Sequence, residues 1–134
     1  MHFNLVDAVV EQSPTRIVTH KHVSNAEEYL QDHFPGYPVL PGVMMLESMV
    51  QAARRLAGPK PMPLVLGQVR ALKYGAFVRP GSTLRVSVDL HKQLDGGAIE
   101  FKGEAHLLTS SLAENEPKVA VSGRFVLRPV RRKG

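Results

Sequence analysis

The feature that most constrains the fold is a segment at 42–57 that is apolar on nearly every side of a helix. Gly58 and Pro59 follow it and end it, because glycine suits the position just after a helix and proline does not continue one. A helix of this kind must be covered by other structure. We therefore expect one long central helix, whose apolar residues are Val43, Met44, Met45, Leu46, Met49, Val50, Ala52, Ala53, Leu56 and Ala57.

The rest of the sequence predicts strands around that helix. Apolar and polar residues alternate over 16–23, 84–90, 99–107 and 119–127, and 64–73 is a further candidate that Gly67 weakens. Asp95-Gly96-Gly97 is a hairpin signal, and Ser24 with Glu27 resembles a capping box that opens a short helical turn. Five or six strands and one long helix predict an α+β fold in which an antiparallel sheet wraps the helix.

Length and composition indicate a small catalytic or binding protein. The chain has 134 residues, and we expect a single domain over 1–130 with a basic tail at 131–134. It contains no cysteine, which excludes disulfides and a thiolate nucleophile and favours a reducing compartment. No secretion signal and no stretch of about 20 apolar residues is present, so we expect a cytoplasmic protein without a membrane span.

The formal net charge of +5 favours acidic partners. Nucleic acid is disfavoured, because tryptophan is absent, aromatic residues make up only 6% of the chain and no nucleic-acid-binding motif occurs. The basic run at 128–133 is more typical of a solvated tail.

The residues just before and inside the helix point to acid and base chemistry. His33 lies in a loop stiffened by Pro35, Gly36, Pro38 and Pro41. Glu47 lies inside the apolar helix, where loss of water favours the protonated form of a carboxyl group. An imidazole and a buried acid held by a rigid backbone form the core of an acid/base site.

Further groups complete this predicted site. Gln51 lies four residues after Glu47, on the same helix face, and is placed to hydrogen-bond its carboxyl group. The N–H groups of Gly42 and Val43, at the positive end of the helix, are placed to hold a developing oxyanion. The alternative is that Glu47 pairs with an Arg or Lys while His33 is an ordinary loop residue. Arg54 and Arg55 are expected where the helix meets solvent.

These residues carry a family resemblance. The segment reads His33-Phe34-Pro35-Gly36-x-Pro38-x-x-Pro41-Gly42-Val43-x-x-x-Glu47-x-Met49-x-Gln51. It resembles the active-site signature of FabZ-type 3-hydroxyacyl-[acyl carrier protein] dehydratases. The resemblance begins at Leu5-Val6-Asp7 and continues through 77–84, and glutamate at 47 is similar to the FabZ branch rather than to FabA, which has aspartate there.

The resemblance implies the hotdog fold and dehydration of (3R)-3-hydroxyacyl-[acyl carrier protein] to the trans-2-enoyl product, in fatty-acid, polyketide or polyene biosynthesis. His33 and Glu47 would be catalytic, Gly42 and Val43 would hold the thioester oxygen, and Gln51 would support them. No metal or redox cofactor is implied. The implied partner is acyl carrier protein, and the implied assembly is a homodimer, or a trimer of dimers, with the active site at the subunit interface.

Two positions depart from the family pattern. Asp32 stands where glycine commonly precedes the motif histidine, and Gly75-Ala76-Phe77 replaces a common Phe-Arg-Arg. The second departure affects part of the carrier-protein contact that the resemblance implies.

Other interpretations stay open. A hotdog thioesterase would use Glu47 to activate water, and a non-catalytic relative would only bind acyl thioesters. His20 and His22 share a strand face as a possible metal pair, although exposed strand histidines are commoner. Tyr74 and Phe77 either line an acyl tunnel or belong to the core. No motif in the sequence specifies the length of the acyl chain, or whether the carrier is acyl carrier protein or coenzyme A.

Overall fold

The computed structural model describes residues 4–23, 42–108 and 118–130. The predicted helix is present with the predicted ends, and all five predicted strands are present. The helical turn predicted at Ser24 lies outside the described residues. The elements are β1 Ala8–Gln12, β2 Arg16–His22, α1 Gly42–Ala57, β3 Leu64–Tyr74, β4 Thr83–Gln93, a 3₁₀ turn Asp95–Gly97, β5 Ile99–Leu108 and β6 Lys118–Pro129.

The described strands form one antiparallel sheet in the order β1-β2-β4-β5-β6-β3. The predicted hairpin joins β4 to β5, and its turn contains Gly96 and Gly97 at φ values of 73° and 81°. Glycine adopts these positive angles without steric cost, which is why the turn signal was readable from sequence. β3 and β1 are the two edges of the sheet.

The two faces of the sheet differ as the alternation predicts. On β4 the side chains of Leu84, Val86 and Val88 are buried against α1, whereas Arg85 and Asp89 lie on the outer face. The helix contributes Met45, Met49, Val50, Ala52 and Ala53 to this core. A Cβ atom added to Gly103 on β5 would lie 2.7 Å from the Met49 sulfur, so a glycine there lets the helix approach the sheet closely. The α+β fold with a sheet packed around one helix is confirmed.

Two features differ from the sequence-based expectation. The N-terminal part of α1 is not covered on all sides in the single chain, because Val43 is 64% exposed. β1 was not predicted, since all five of its residues are exposed and a bulge between Val9 and Glu11 interrupts its pairing. Within the part of the chain that the structure describes, no helix has the length and apolar character needed to span a membrane.

Candidate active site

The carboxyl group of Glu47 lies on α1 between two polar side chains of the same helix. Its Oε1 atom is 3.4 Å from Gln51 Nε2 and 3.5 Å from Arg54 Nη1. The side chain is 40% exposed, so the expectation of a carboxyl group removed from water is wrong for the single chain. The alternative, in which Glu47 pairs with a cation, matches its contact with Arg54.

Gln51 connects Glu47 to the N-terminal segment. Its amide nitrogen donates to Glu47, as the four-residue spacing predicted, and its Oε1 atom accepts a 2.8 Å hydrogen bond from the backbone N–H of Leu5. Leu5 is fully buried, and two residues later the Asp7 carboxylate accepts a 2.7 Å hydrogen bond from the His22 N–H. The Leu-Val-Asp segment is therefore held beside the helix by its backbone and side-chain contacts.

Arg54 connects Glu47 to β3. Its Nε–H donates to the carbonyl oxygen of Leu64, the first residue of β3, at 3.0 Å. Sequence reasoning placed Arg54 only at the solvent boundary, and its side chain is indeed 42% exposed. Its contact with Glu47 was missed, although a separation of seven residues places two side chains on one helix face, about two turns apart.

The start of α1 is fixed by Tyr74 at the end of β3. The Tyr74 hydroxyl donates to the carbonyl oxygen of Gly42 at 3.1 Å, and a Cβ atom added to Gly42 would lie 3.0 Å from the tyrosine ring. The first N–H groups of a helix, here those of Gly42 and Val43, have no partner within the helix. Their use as an oxyanion site stays a prediction.

His33 and Asp32 lie outside the described residues, as does the rest of the proline-rich loop. The assignment of His33 as the base is thus a prediction from sequence. The described helix does bring Gly42, Val43, Glu47 and Gln51 onto one element.

The glycine at position 75, the first residue of the departure at 75–77, has a packing reason. The N–H groups of Gly75 and Ala76 donate to the carbonyl oxygens of Ala120 and Val119 at 2.9 and 3.0 Å. A Cβ atom on Gly75 would collide with the Val119 carbonyl oxygen, so the close approach of the two chain segments requires glycine. Phe77 is 67% exposed.

Among the described residues, no further ligand joins the histidine pair on β2. His22 is exposed, with Nδ1 3.4 Å from the Thr83 hydroxyl, and Nε2 of His20 is buried without a hydrogen-bond partner in the described part of the chain. In the described ranges, no group of three or more His, Cys, Asp or Glu side chains is placed to hold a metal ion.

Comparison with known proteins assigns the chain to a family. The sequence profile of the ApeI-like family, described as ApeI dehydratase, matches residues 9–112. The 3-hydroxyacyl-[acyl-carrier-protein] dehydratase FabZ of Oenococcus oeni is 40% identical over 114 residues, which cover 79% of this chain and 76% of that protein. The chain belongs to the FabZ/ApeI-like dehydratases.

Solved structures agree with this family on the hotdog fold. The dehydratase heterocomplex ApeI:P from Xenorhabdus doucetiae is similar with a TM-score of 0.68 and 16% identity, over 95% of this chain and 99% of that one. A hypothetical thioesterase with coenzyme A from Streptococcus pneumoniae TIGR4 has a TM-score of 0.69 and 9% identity, over 95% and 88%. Dehydratases and thioesterases thus share the fold, and the sequence likeness places this chain with the FabZ/ApeI-like dehydratases.

Proposed function

We propose that this enzyme dehydrates (3R)-3-hydroxyacyl-[acyl carrier protein] to trans-2-enoyl-[acyl carrier protein]. The observation that carries the proposal is the sequence likeness to the Oenococcus dehydratase over most of both chains. The placement of Glu47, Gln51 and Gly42 on one helix next to a fixed N-terminal segment supports it.

The proposed reaction is an elimination that needs a base and an acid. His33, as a neutral imidazole, removes the C2 proton, and the electron pair left on C2 forms the C2–C3 double bond as the C3–O bond breaks. Glu47 enters this step protonated and passes its proton to the C3 hydroxyl, directly or through an ordered water, so that the hydroxyl group leaves as water. Glu47 is left as a carboxylate, which Arg54 contacts. The N–H of Gly42 holds the thioester oxygen while negative charge develops on it.

Gln51 and Arg54 have a positioning role in this scheme. Both contact the same oxygen of Glu47, and each is anchored to backbone on the other side, Gln51 at Leu5 and Arg54 at Leu64. A carboxyl group held from two sides keeps one orientation toward the substrate, which is a condition for efficient proton transfer.

We also propose that the enzyme acts as a homodimer, or as a trimer of dimers, with acyl carrier protein as its partner. β3 is an 11-residue edge strand that pairs only with β6 among the described strands. A long unpaired edge is a template for pairing with a second chain. Because Tyr74 and Leu64 of β3 both contact α1, a second copy on β3 would lie next to the catalytic helix.

A hydration assay with a crotonyl thioester tests the proposed reaction in reverse. The wild-type protein should consume the enoyl absorbance with crotonyl bound to acyl carrier protein or to coenzyme A, and comparison of the two rates identifies the carrier. His33→Ala should lower turnover by at least about 100-fold, the usual contribution of a positioned base, with an unchanged circular dichroism spectrum. Near-normal turnover in His33→Ala would show that this histidine is not the base.

A further inference from the structure

A pocket beside the C-terminal half of α1 is lined by both cations and apolar side chains. It has a volume of about 400 Å³ and opens between the helix end and the start of β3. Met62, Pro63, Leu64 and Val65 form its apolar part. Lys60 and Arg54 also line it, and no acidic side chain of the described residues does.

Arg54 and Lys60 both have N–H groups available to bind a ligand. Arg54 uses Nε on the Leu64 carbonyl and Nη1 on Glu47, and its Nη2 has no acceptor among the residues that the structure describes. Lys60 is exposed and makes no ion pair with any residue that the structure describes. The pocket therefore combines apolar surface with the charge of Lys60, which no described carboxylate balances, and with Arg54, which pairs with Glu47 through Nη1.

The pocket and the candidate active site share the side chain of Arg54. Arg54 contacts the catalytic carboxyl group of Glu47 and lines the pocket with the same side chain. Seven residues separate Glu47 from Arg54, a rise of about 10.5 Å along the helix. If C3 of the substrate lies at Glu47, a substrate group that enters the pocket must be connected to C3 by a linker long enough to span this distance.

We propose that this pocket binds an anionic group carried by the substrate, with Lys60 and Arg54 as its specificity-determining residues. The inference rests on the proposed dehydratase function and adds a substrate class to it. Two parts of a carrier-bound substrate supply such an anion: a carboxylate at the far end of the acyl chain, or the phosphate of the pantetheine arm. Both accept charge-assisted hydrogen bonds from Lys and Arg, and both follow a mainly apolar or neutral linker that suits the pocket wall.

Two substrate pairs separate these sources. The first pair consists of 3-hydroxyacyl N-acetylcysteamine thioesters of equal length, one ending in a methyl group and one in a carboxylate. The second consists of 3-hydroxybutyryl thioesters of pantetheine and of 4′-phosphopantetheine. We expect the anionic member of one pair to have a kcat/KM about tenfold above its neutral partner, the effect of one charge-assisted hydrogen bond at a half-exposed site. Preference in the first pair identifies the acyl end, and preference in the second identifies the phosphate.

Lys60→Met is the variant that tests the pocket, because Lys60 makes no contact with Glu47. It should bring the two members of the preferred pair to similar kcat/KM values. Lys102→Met, an exposed lysine on the outer face of the sheet, is the matched control and should keep the preference. Lack of preference in both pairs, or a preference that survives Lys60→Met, would overturn the proposal.

The affinity of the protein for saturated, unreactive analogues of the same pairs tests the pocket independently of catalysis. If the wild-type protein turns over none of the thioesters but binds the anionic analogue about tenfold more tightly, with Lys60→Met losing the difference, the proposed reaction fails and the pocket stands. Equal binding of all analogues would overturn the pocket even if dehydration is observed.

Discussion

At the scale of single residues, the hydroxyl group of Tyr74 connects an edge strand to the proposed oxyanion site. It donates to the carbonyl of Gly42 at a half-exposed position, while its ring covers the Gly42 Cα. The hydrogen bond and the ring contact are separable by a conservative substitution, since phenylalanine keeps the ring.

Tyr74→Phe should lower the free energy of unfolding by about 0.5–1.5 kcal/mol, the net value of one hydrogen bond, as measured by urea denaturation. If Gly42 holds the thioester oxygen, kcat should fall by more than KM rises, because a displaced N–H weakens the transition state more than the bound substrate. An unchanged kcat with a raised KM would instead assign Tyr74 to substrate binding alone.

Part of the candidate site was predictable from residue spacing. The contact of Gln51 with Glu47 follows from their four-residue separation on a helix. The contact of Arg54 with Glu47 depends on a second anchor, the Leu64 carbonyl, which belongs to another element. A helix pattern places Arg54 on the face of Glu47 but does not reveal such an anchor. Sequence reasoning therefore left Arg54 at the solvent boundary and kept the pairing of Glu47 with a cation only as an alternative.

At the scale of elements, the junction after β3 is fixed by close backbone approach. Gly75 lies directly against the Val119 carbonyl oxygen, which no side chain can displace without moving β6. Gly67 lies within β3, and the atoms nearest to a Cβ added there belong to the flexible side chain of Arg128, at 3.1 Å.

Gly75→Ala should therefore destabilise the protein by about 1–3 kcal/mol, the range for an overpacked site. Gly67→Ala is the matched control and should cost clearly less, because the arginine side chain is able to move aside. Both values follow from denaturant unfolding of the purified variants. Equal losses in the two variants would contradict the packing explanation of the glycine at position 75.

Helices and strands were predictable where a periodic apolar pattern is bounded by glycine, proline or turn residues. α1 ends where Gly58 and Pro59 predict, and β4 and β5 alternate around the Asp95–Gly97 turn. β1 was missed because its residues are exposed and its pairing contains a bulge, so neither burial nor alternation marks it. Strand order was not readable, because β3 pairs with β6 across a long stretch of sequence.

At the scale of the whole molecule, the proposed dimer depends on the β3 edge. Leu66 is 37% exposed on β3, and Val9 is 42% exposed on the opposite edge, β1. β3 is also the longer of the two edges, with 11 residues against five.

Leu66→Lys should convert the protein to a monomer in light scattering, because a charged side chain on an edge strand opposes pairing with another chain. If each site needs both subunits, hydration of crotonyl thioester should fall at least about tenfold in the same variant. Val9→Lys, the control on the other edge, should keep both the dimer and the activity. A fully active monomeric wild-type protein would contradict the proposed assembly.

The central claim is that this protein eliminates water rather than hydrolyses a thioester, and one paired measurement tests it most directly. Enoyl absorbance and free thiol are followed together, with a 3-hydroxyacyl thioester and with a saturated acyl thioester that lacks the C3 hydroxyl. The wild-type protein should form enoyl product with negligible thiol release, and Glu47→Gln should lose dehydration by at least about 100-fold while it still binds substrate. Thiol release from the saturated thioester at a rate comparable to enoyl formation, abolished in Glu47→Gln, would contradict the dehydratase assignment and identify a thioesterase.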